Sequence, residues 1–223
     1  MTETVDVRKR ILEANEQAAR VIRDGFAASG TLVPNLISSP GSGKTTLLEA
    51  TVQAFGMRRR IAVIEGDIAT ERDADRLRAS GVPAYQILTG GACHLDARQV
   101  DKAVSEARFP SVDILFIENV GNLICPTSYD LGEDFKVALL SVAEGDDKPF
   151  KYPAIFAKAA VIVITKADLL PHVTFDLDAV RVQVASLNPK AVFLVTSART
   201  GDGVGGWCAL LEERLATKRA SAS

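Results

Sequence analysis

The sequence predicts an α/β fold, a doubly wound and mostly parallel sheet flanked by helices. Three observations point there. Short runs dense in Val, Ile and Leu recur along the chain, the pattern of strands buried on both faces. Helix-like stretches separate most of them, as in a sheet wound with crossover helices. A glycine-bearing turn, SSPGSGKTT, follows the first strand-like run and opens a helix, the context of a phosphate-binding loop.

In chain order, residues 7–28 read as an amphipathic helix. Val7, Ile11, Ala14, Ala18, Val21, Ile22 and Phe26 recur at helical spacing with Arg, Glu and Gln between them, and Gly30 ends the run. The strand-like runs are LVPNLIS, RIAVIEG, AYQIL, VDILFIE, FKVALLSV, AAVIVIT and AVFLVTS. Helices are expected over residues 45–55, 73–79, 96–108, 177–187 and 206–217. Residues 1–30 form an N-terminal helix packed on the main domain, residues 31–217 one P-loop domain, and residues 218–223, KRASAS, a frayed tail. AEGDDKPFKYP, charged and carrying two prolines, is the expected mobile loop, and GDGVGG a second flexible point.

Composition narrows the function. The chain has 223 residues, 47% of them apolar, so a sizeable core is available. Its net charge of −2 and lack of a basic stripe argue against nucleic acid as a partner. Three cysteines do not make a disulfide framework and fit a reducing compartment. The charged N-terminus does not look like a signal peptide, and no apolar run reaches the length of a membrane span. The expectation is a soluble cytoplasmic protein with no membrane partner.

The phosphate loop follows G-x-x-x-x-G-K-[ST], with Ser38 at the first glycine position and Gly43, Lys44 and Thr45 at its end. Gly41 and Gly43 free the backbone to wrap around phosphates, and the helix N-terminus adds positive potential. The nucleotide-binding set is Ser39, Gly41, Ser42, Gly43, Lys44, Thr45 and Thr46. Lys44 reaches the β- and γ-phosphates, and the Thr45 hydroxyl holds magnesium.

Ligands of such a sheet sit beyond the carboxyl ends of its strands. After AAVIVI comes Thr165-Lys166-Ala167-Asp168, similar to the N-K-x-D of GTPases with Thr in place of Asn. Asp168 can accept from N1–H and the exocyclic amine of guanine, while adenine offers an acceptor at N1. The Lys166 stem can lie along the purine. After AVFLV comes TSARTGDG, which resembles the loop whose Ser197 and Ala198 backbone contacts the guanine oxygen. These two loops favour GTP and GDP over adenine nucleotides. Asp67 follows RIAVIEG and Glu118 ends VDILFIE. Both are placed as magnesium carboxylates and, with Lys44, as the catalytic set. Gly121 is placed to feel the γ-phosphate. No Gln or His stands out to orient a hydrolytic water, which implies slow hydrolysis resting on positioning and charge.

Cys93 and His94, in GGACHLDARQV, follow AYQIL, and Cys125 lies seven residues after Glu118. The fold therefore brings all three to the nucleotide-facing edge. Thiolate and imidazole suit zinc and nickel. Three ligands leave a four-coordinate ion one short, and a two-fold dimer can share ligands across its interface. On residue chemistry alone, a buried Cys beside an incidental His is an equal alternative. Cys208, beside Trp207, reads as core, and His172 as a surface residue.

The ordered set SSPGSGKTTLLE, GDIATERDADR, TGGACHLDA, ENVGNLICP, TKADLL and TSARTGDG resembles the HypB family, the nickel-insertion GTPases of hydrogenase maturation, which are P-loop G proteins of the SIMIBI class. The likeness spans residues 5–215. It implies that Cys93, His94 and Cys125 bind nickel or zinc at an interface formed when GTP promotes a homodimer. It also implies a HypA-type metallochaperone and the hydrogenase large subunit as partners. The first 30 residues hold no Cys and no His, so the N-terminal nickel motifs of some members are not expected here. The rivals are a urease-accessory nickel GTPase, which would carry Cys-Pro-His, a GTPase chaperone for a cobalamin enzyme, a P-loop kinase for a small metabolite, and a nucleotide-binding scaffold without turnover.

Overall fold

The computed structural model describes residues 7–68, 70–109 and 111–221. Among them, seven strands form one parallel sheet in the order β3-β2-β4-β1-β5-β6-β7. They are β1 (Pro34–Ile37), β2 (Ile61–Asp67), β3 (Ala84–Leu88), β4 (Ile114–Glu118), β5 (Phe135–Ser141), β6 (Val161–Thr165) and β7 (Val192–Val195). The helices are α1 (Val7–Ser29), α2 (Lys44–Phe55), α3 (Arg72–Ala79), α4 (Ala97–Ala107), α5 (Lys148–Lys151), α6 (Pro153–Lys158), α7 (Leu177–Leu187) and α8 (Val204–Ser221). No helix among the described residues is long and apolar enough to cross a membrane.

The apolar runs are nearly continuous because the sheet is covered on both faces. Side chains alternate along each strand. Leu36, Val63, Phe116, Val137, Leu139, Val161 and Val163 pack against α2, α3 and α8. Their neighbours pack the other way. Ala62, Ile64, Leu115 and Ile117 meet α1 and α4, while Ala138, Leu140, Ile162 and Ile164 meet α6 and α7. Trp207 of α8 is fully buried, and its indole N–H donates to the Thr51 hydroxyl of α2 at 2.9 Å. Cys208 lies in the same core.

α1 is tied to the domain by polar groups as well as by Ala19 and Ile22. The Asn15 side chain accepts from the Ala97 N–H at the first turn of α4 (2.8 Å) and donates to the Asp130 carbonyl (2.7 Å). Arg23 pairs with Asp130 at 2.6 Å.

Three expectations need correction. The frayed tail is absent as far as Ser221, because α8 continues through it. Lys218 reaches Asp134 at 2.6 Å, and Arg219 reaches Asp113 at 2.6 Å and the Gly30 carbonyl at 3.1 Å. Only Ala222 and Ser223 of the expected tail, and residues 1–6 of the expected N-terminal segment, lie outside the described residues. The expected loop AEGDDKPFKYP is a 3-10 turn (Val142–Glu144) followed by α5 and α6, whose Pro149 and Pro153 sit in their first turns, where a missing N–H costs nothing. GDGVGG is a packed turn. Gly203 has φ +72°, a Cβ there would fall 2.0 Å from the Val195 carbonyl oxygen, and Val204 already starts α8.

The topology puts the carboxyl ends of all seven strands on one edge. β1 lies between β4 and β5, so the loops after these three strands converge where the chain changes direction across the sheet.

Candidate functional site

The loop between β1 and α2 takes left-handed turns at Gly41 (φ +74°) and Gly43 (φ +93°), conformations that side chains resist. Ser38, fully buried at the first position of the motif, accepts from the Lys44 ammonium at 3.2 Å. Its substitution for glycine therefore gives the lysine a resting partner. Ser42 is held from both sides. Its carbonyl accepts from the Thr165 hydroxyl (2.6 Å), and its hydroxyl donates to the Glu144 carboxylate. Lys166, itself left-handed at φ +56°, donates to the Gly41 carbonyl at 2.7 Å. Thr165 thus anchors the phosphate loop and spends its hydroxyl there.

Gly43, Thr46, Leu47, Lys166, Asp168, Ala198 and Arg199 line a cavity of about 280 Å³ beside this loop. The Ser197 hydroxyl donates to Asp168 at 2.7 Å and Arg199 lies 3.4 Å from its other oxygen. The serine hydrogen bond leads in holding the Asp168 carboxyl below the usual range. It is an ionised acceptor facing a base-sized space.

At the phosphate side, Thr45 donates to Glu118 Oε1 at 2.8 Å. Glu118 ends β4 and pairs in register with Glu65 of β2. Both are 2% exposed, and each has an Oε2 with no hydrogen-bond partner. One oxygen each from Glu65, Asp73 and Glu118 lies within 4.8 Å of the others. Burial pushes Glu65 up to about 8, helped by the Glu118 charge. Burial also raises Glu118, to about 7, against the pull of Lys44 and Thr45. Buried carboxylates with unused oxygens suit a hard divalent cation. Asp67 stands at the end of β2, where its Oδ1 accepts from the Thr70 N–H at 2.8 Å.

Cys93, His94 and Cys125 meet at the same edge, with one ligand atom from each within 4.8 Å of the others. All three are half-buried. Gly90 (φ +61°) and Gly91 (φ +107°) turn the chain after β3 so that Cys93 faces the Cys125 loop. The Cys93 sulfur lies 3.7 Å from His94 Nδ1, and the His94 ring packs on Tyr129 with centroids 3.9 Å apart. A hydrogen bond with Cys125, then burial, raises the Cys93 thiol, while burial lowers His94 toward its neutral, ligating form. His172 is exposed.

Sequence reasoning missed Glu65, Asp73, Glu144 and Tyr129. Glu65 left a signal, an acid inside the otherwise apolar run RIAVIEG. Glu144 left another, since Ser141 and Glu144 have capping-box spacing and form that box. Asp73 and Tyr129 left none, because their places depend on how α3 and the Cys125 loop pack.

The profile of the CobW/HypB/UreG nucleotide-binding domain matches residues 32–195. The chain is 49% identical over 210 residues to the hydrogenase maturation factor HypB of Azotobacter chroococcum mcd 1, covering 94% of this chain and 69% of that one. Its fold superposes on HypB from Helicobacter pylori in complex with nickel, with TM-score 0.87 and 40% identity over 94% of this chain and 97% of that one. It also superposes on the hydrogenase maturation factor HypB of Archaeoglobus fulgidus, with TM-score 0.85 and 38% identity over 92% and 100%.

The raised carboxyls give a pH dependence of stability. Glu65 binds its proton more tightly folded than unfolded, so its contribution is present below the ordinary glutamate range and is lost as pH rises toward 8. Glu65→Gln, isosteric and always neutral, should raise Tm at pH 8.5 by a few degrees relative to the parent and change it little at pH 5. Calorimetry without divalent cations checks this, and equal shifts at both pH values would contradict it.

Proposed function

The chain belongs to the CobW/HypB/UreG family, in its HypB branch, and from that membership we propose that it is a GTP-hydrolysing metallochaperone that assists nickel insertion into a [NiFe]-hydrogenase. One observation carries the reading. The loop that follows Glu118, the carboxylate bonded to the phosphate-loop threonine, delivers Cys125 to Cys93 and His94. A nucleotide site and a soft-ligand cluster share one short segment.

The phosphates of GTP lie on the backbone of Ser39, Gly41, Ser42, Gly43, Lys44, Thr45 and Thr46, with the Lys44 ammonium leaving Ser38 for the β- and γ-phosphates. Asp168 accepts from guanine N1–H and its amine, the Lys166 stem covers the purine, and the Ser197–Ala198 backbone meets O6. Thr45, Asp67 and Glu118 would hold magnesium, which would supply neutralisation of phosphate charge. The unpartnered Glu118 Oε2 fits that role. Turnover is slow, since Lys44 and the loop amides stabilise charge while no Gln or His among the described residues stands out to orient a water.

Nickel or zinc is the cargo at Cys93, His94 and Cys125. One chain offers three ligands, so a GTP-promoted homodimer completes and gates the site. Ile68, Leu88 and Ile124, exposed apolar residues at this same edge, support a covered face there. A HypA-type metallochaperone and the hydrogenase large subunit are the expected donor and client.

Two outcomes test this. Asp168→Asn, which turns an acceptor into a donor, should cost at least about tenfold in GTP affinity and gain xanthosine triphosphate by a similar factor. Unchanged selectivity in a fluorescent-nucleotide assay would remove Asp168 from the base site. Nickel titration should saturate with wild-type protein and weaken at least about tenfold in Cys93→Ala and in Cys125→Ala. Binding indifferent to both substitutions would leave a GTPase without cargo.

A further inference from the structure

We propose that Asn122 is the positioning residue through which the phosphate-facing loop acts on Cys93. This rests on the GTP-gated metal reading above and names the side chain that does the gating.

The loop from Glu118 to Cys125 touches three things. At Gly121 it lies hard against the phosphate loop, since a Cβ there would fall 2.9 Å from Pro40 Cγ and 3.0 Å from the Pro40 backbone. One residue later, Asn122 turns its amide toward the other cysteine. Its Nδ2 donates to the Cys93 carbonyl at 3.1 Å, and its Oδ1 accepts from the Ile124 N–H at 2.9 Å. A single side chain therefore bridges the peptide beside Cys125 to the peptide of Cys93.

The other end of the Cys93 segment is fixed. Leu95 N–H donates to Asn119 Oδ1 at 3.3 Å, and Asn119 Nδ2 donates to Asn35 Oδ1 of β1 at 3.3 Å. Asn119 is 1% exposed, and its own N–H bonds the Leu36 carbonyl at 3.0 Å. Asn119 is a pivot locked to the sheet, whereas Asn122 sits on the part of the loop that faces the phosphates. A displacement of the loop at Gly121 pulls on the Cys93 carbonyl through Asn122 while Leu95 stays put. The Cys93 sulfur then turns relative to His94 and Cys125.

The test measures nickel affinity with GDP and with a non-hydrolysable GTP analogue in wild type, Asn122→Ala and Asn122→Asp. The Asp variant keeps the acceptor for the Ile124 N–H and replaces the donor to Cys93 with a charged oxygen that the Cys93 carbonyl repels. Wild type should show a ratio of about tenfold between the two nucleotides. Both variants should bring the ratio near one, and Asn122→Ala should do so with GDP-state nickel affinity and nucleotide affinity within about threefold of wild type. Variants that keep the wild-type ratio, or that lose nickel equally in both states, overturn the role of Asn122 and leave the gated-site reading intact. A wild-type ratio of one overturns both.

Discussion

The structure depends on one buried carboxylate. Glu118 ends β4 with one oxygen bonded to Thr45 of the phosphate loop and the other unpartnered. Burying such a group is costly unless it is neutral or paired. Burial accordingly raises its proton affinity, and a divalent cation beside Thr45 would offset that cost. The residue also fixes geometry. Everything from Asn119 to Cys125 must start from this point, so the soft-ligand cluster cannot be placed independently of the phosphate site.

The surrounding scaffold is rigid where that arrangement needs it. The phosphate loop is held by Ser38, Glu144, Thr165 and Lys166, side chains from three different strand ends. At the opposite edge, Asp113 gathers Arg60 and Arg219, and these bonds overcome burial to hold its carboxyl well below the usual range. That cluster ties the start of β4 to the end of α8. The Cys93 segment, by contrast, hangs between two asparagines, one buried and one at the edge.

Much of this was legible in the sequence. All seven apolar runs became strands, because continuous Val and Ile reflect burial on both faces. The meeting of Cys93, His94 and Cys125 followed from topology, since parallel strands deliver the loops after them to one edge. What sequence obscured were features decided by packing. Lys218 and Arg219 read as tail composition until Asp134 and Asp113 are seen opposite them. Charge and proline in AEGDDKPFKYP suggested a loop, whereas the prolines start helices and Glu144 braces Ser42. Thr165 stands where the N-K-x-D of GTPases carries Asn, and its hydroxyl anchors the phosphate loop.

Nickel K-edge X-ray absorption on the nickel-loaded protein, first with GDP and then with a non-hydrolysable GTP analogue, tests the link between the two sites most directly. Linked sites predict a change in the number or length of nickel–sulfur bonds when the γ-phosphate is present, because Cys125 and Cys93 both answer to the loop after Glu118. Identical spectra in the two states, with nickel bound through the cysteines in each, would mean that the nucleotide and the metal share an edge of the sheet and nothing more.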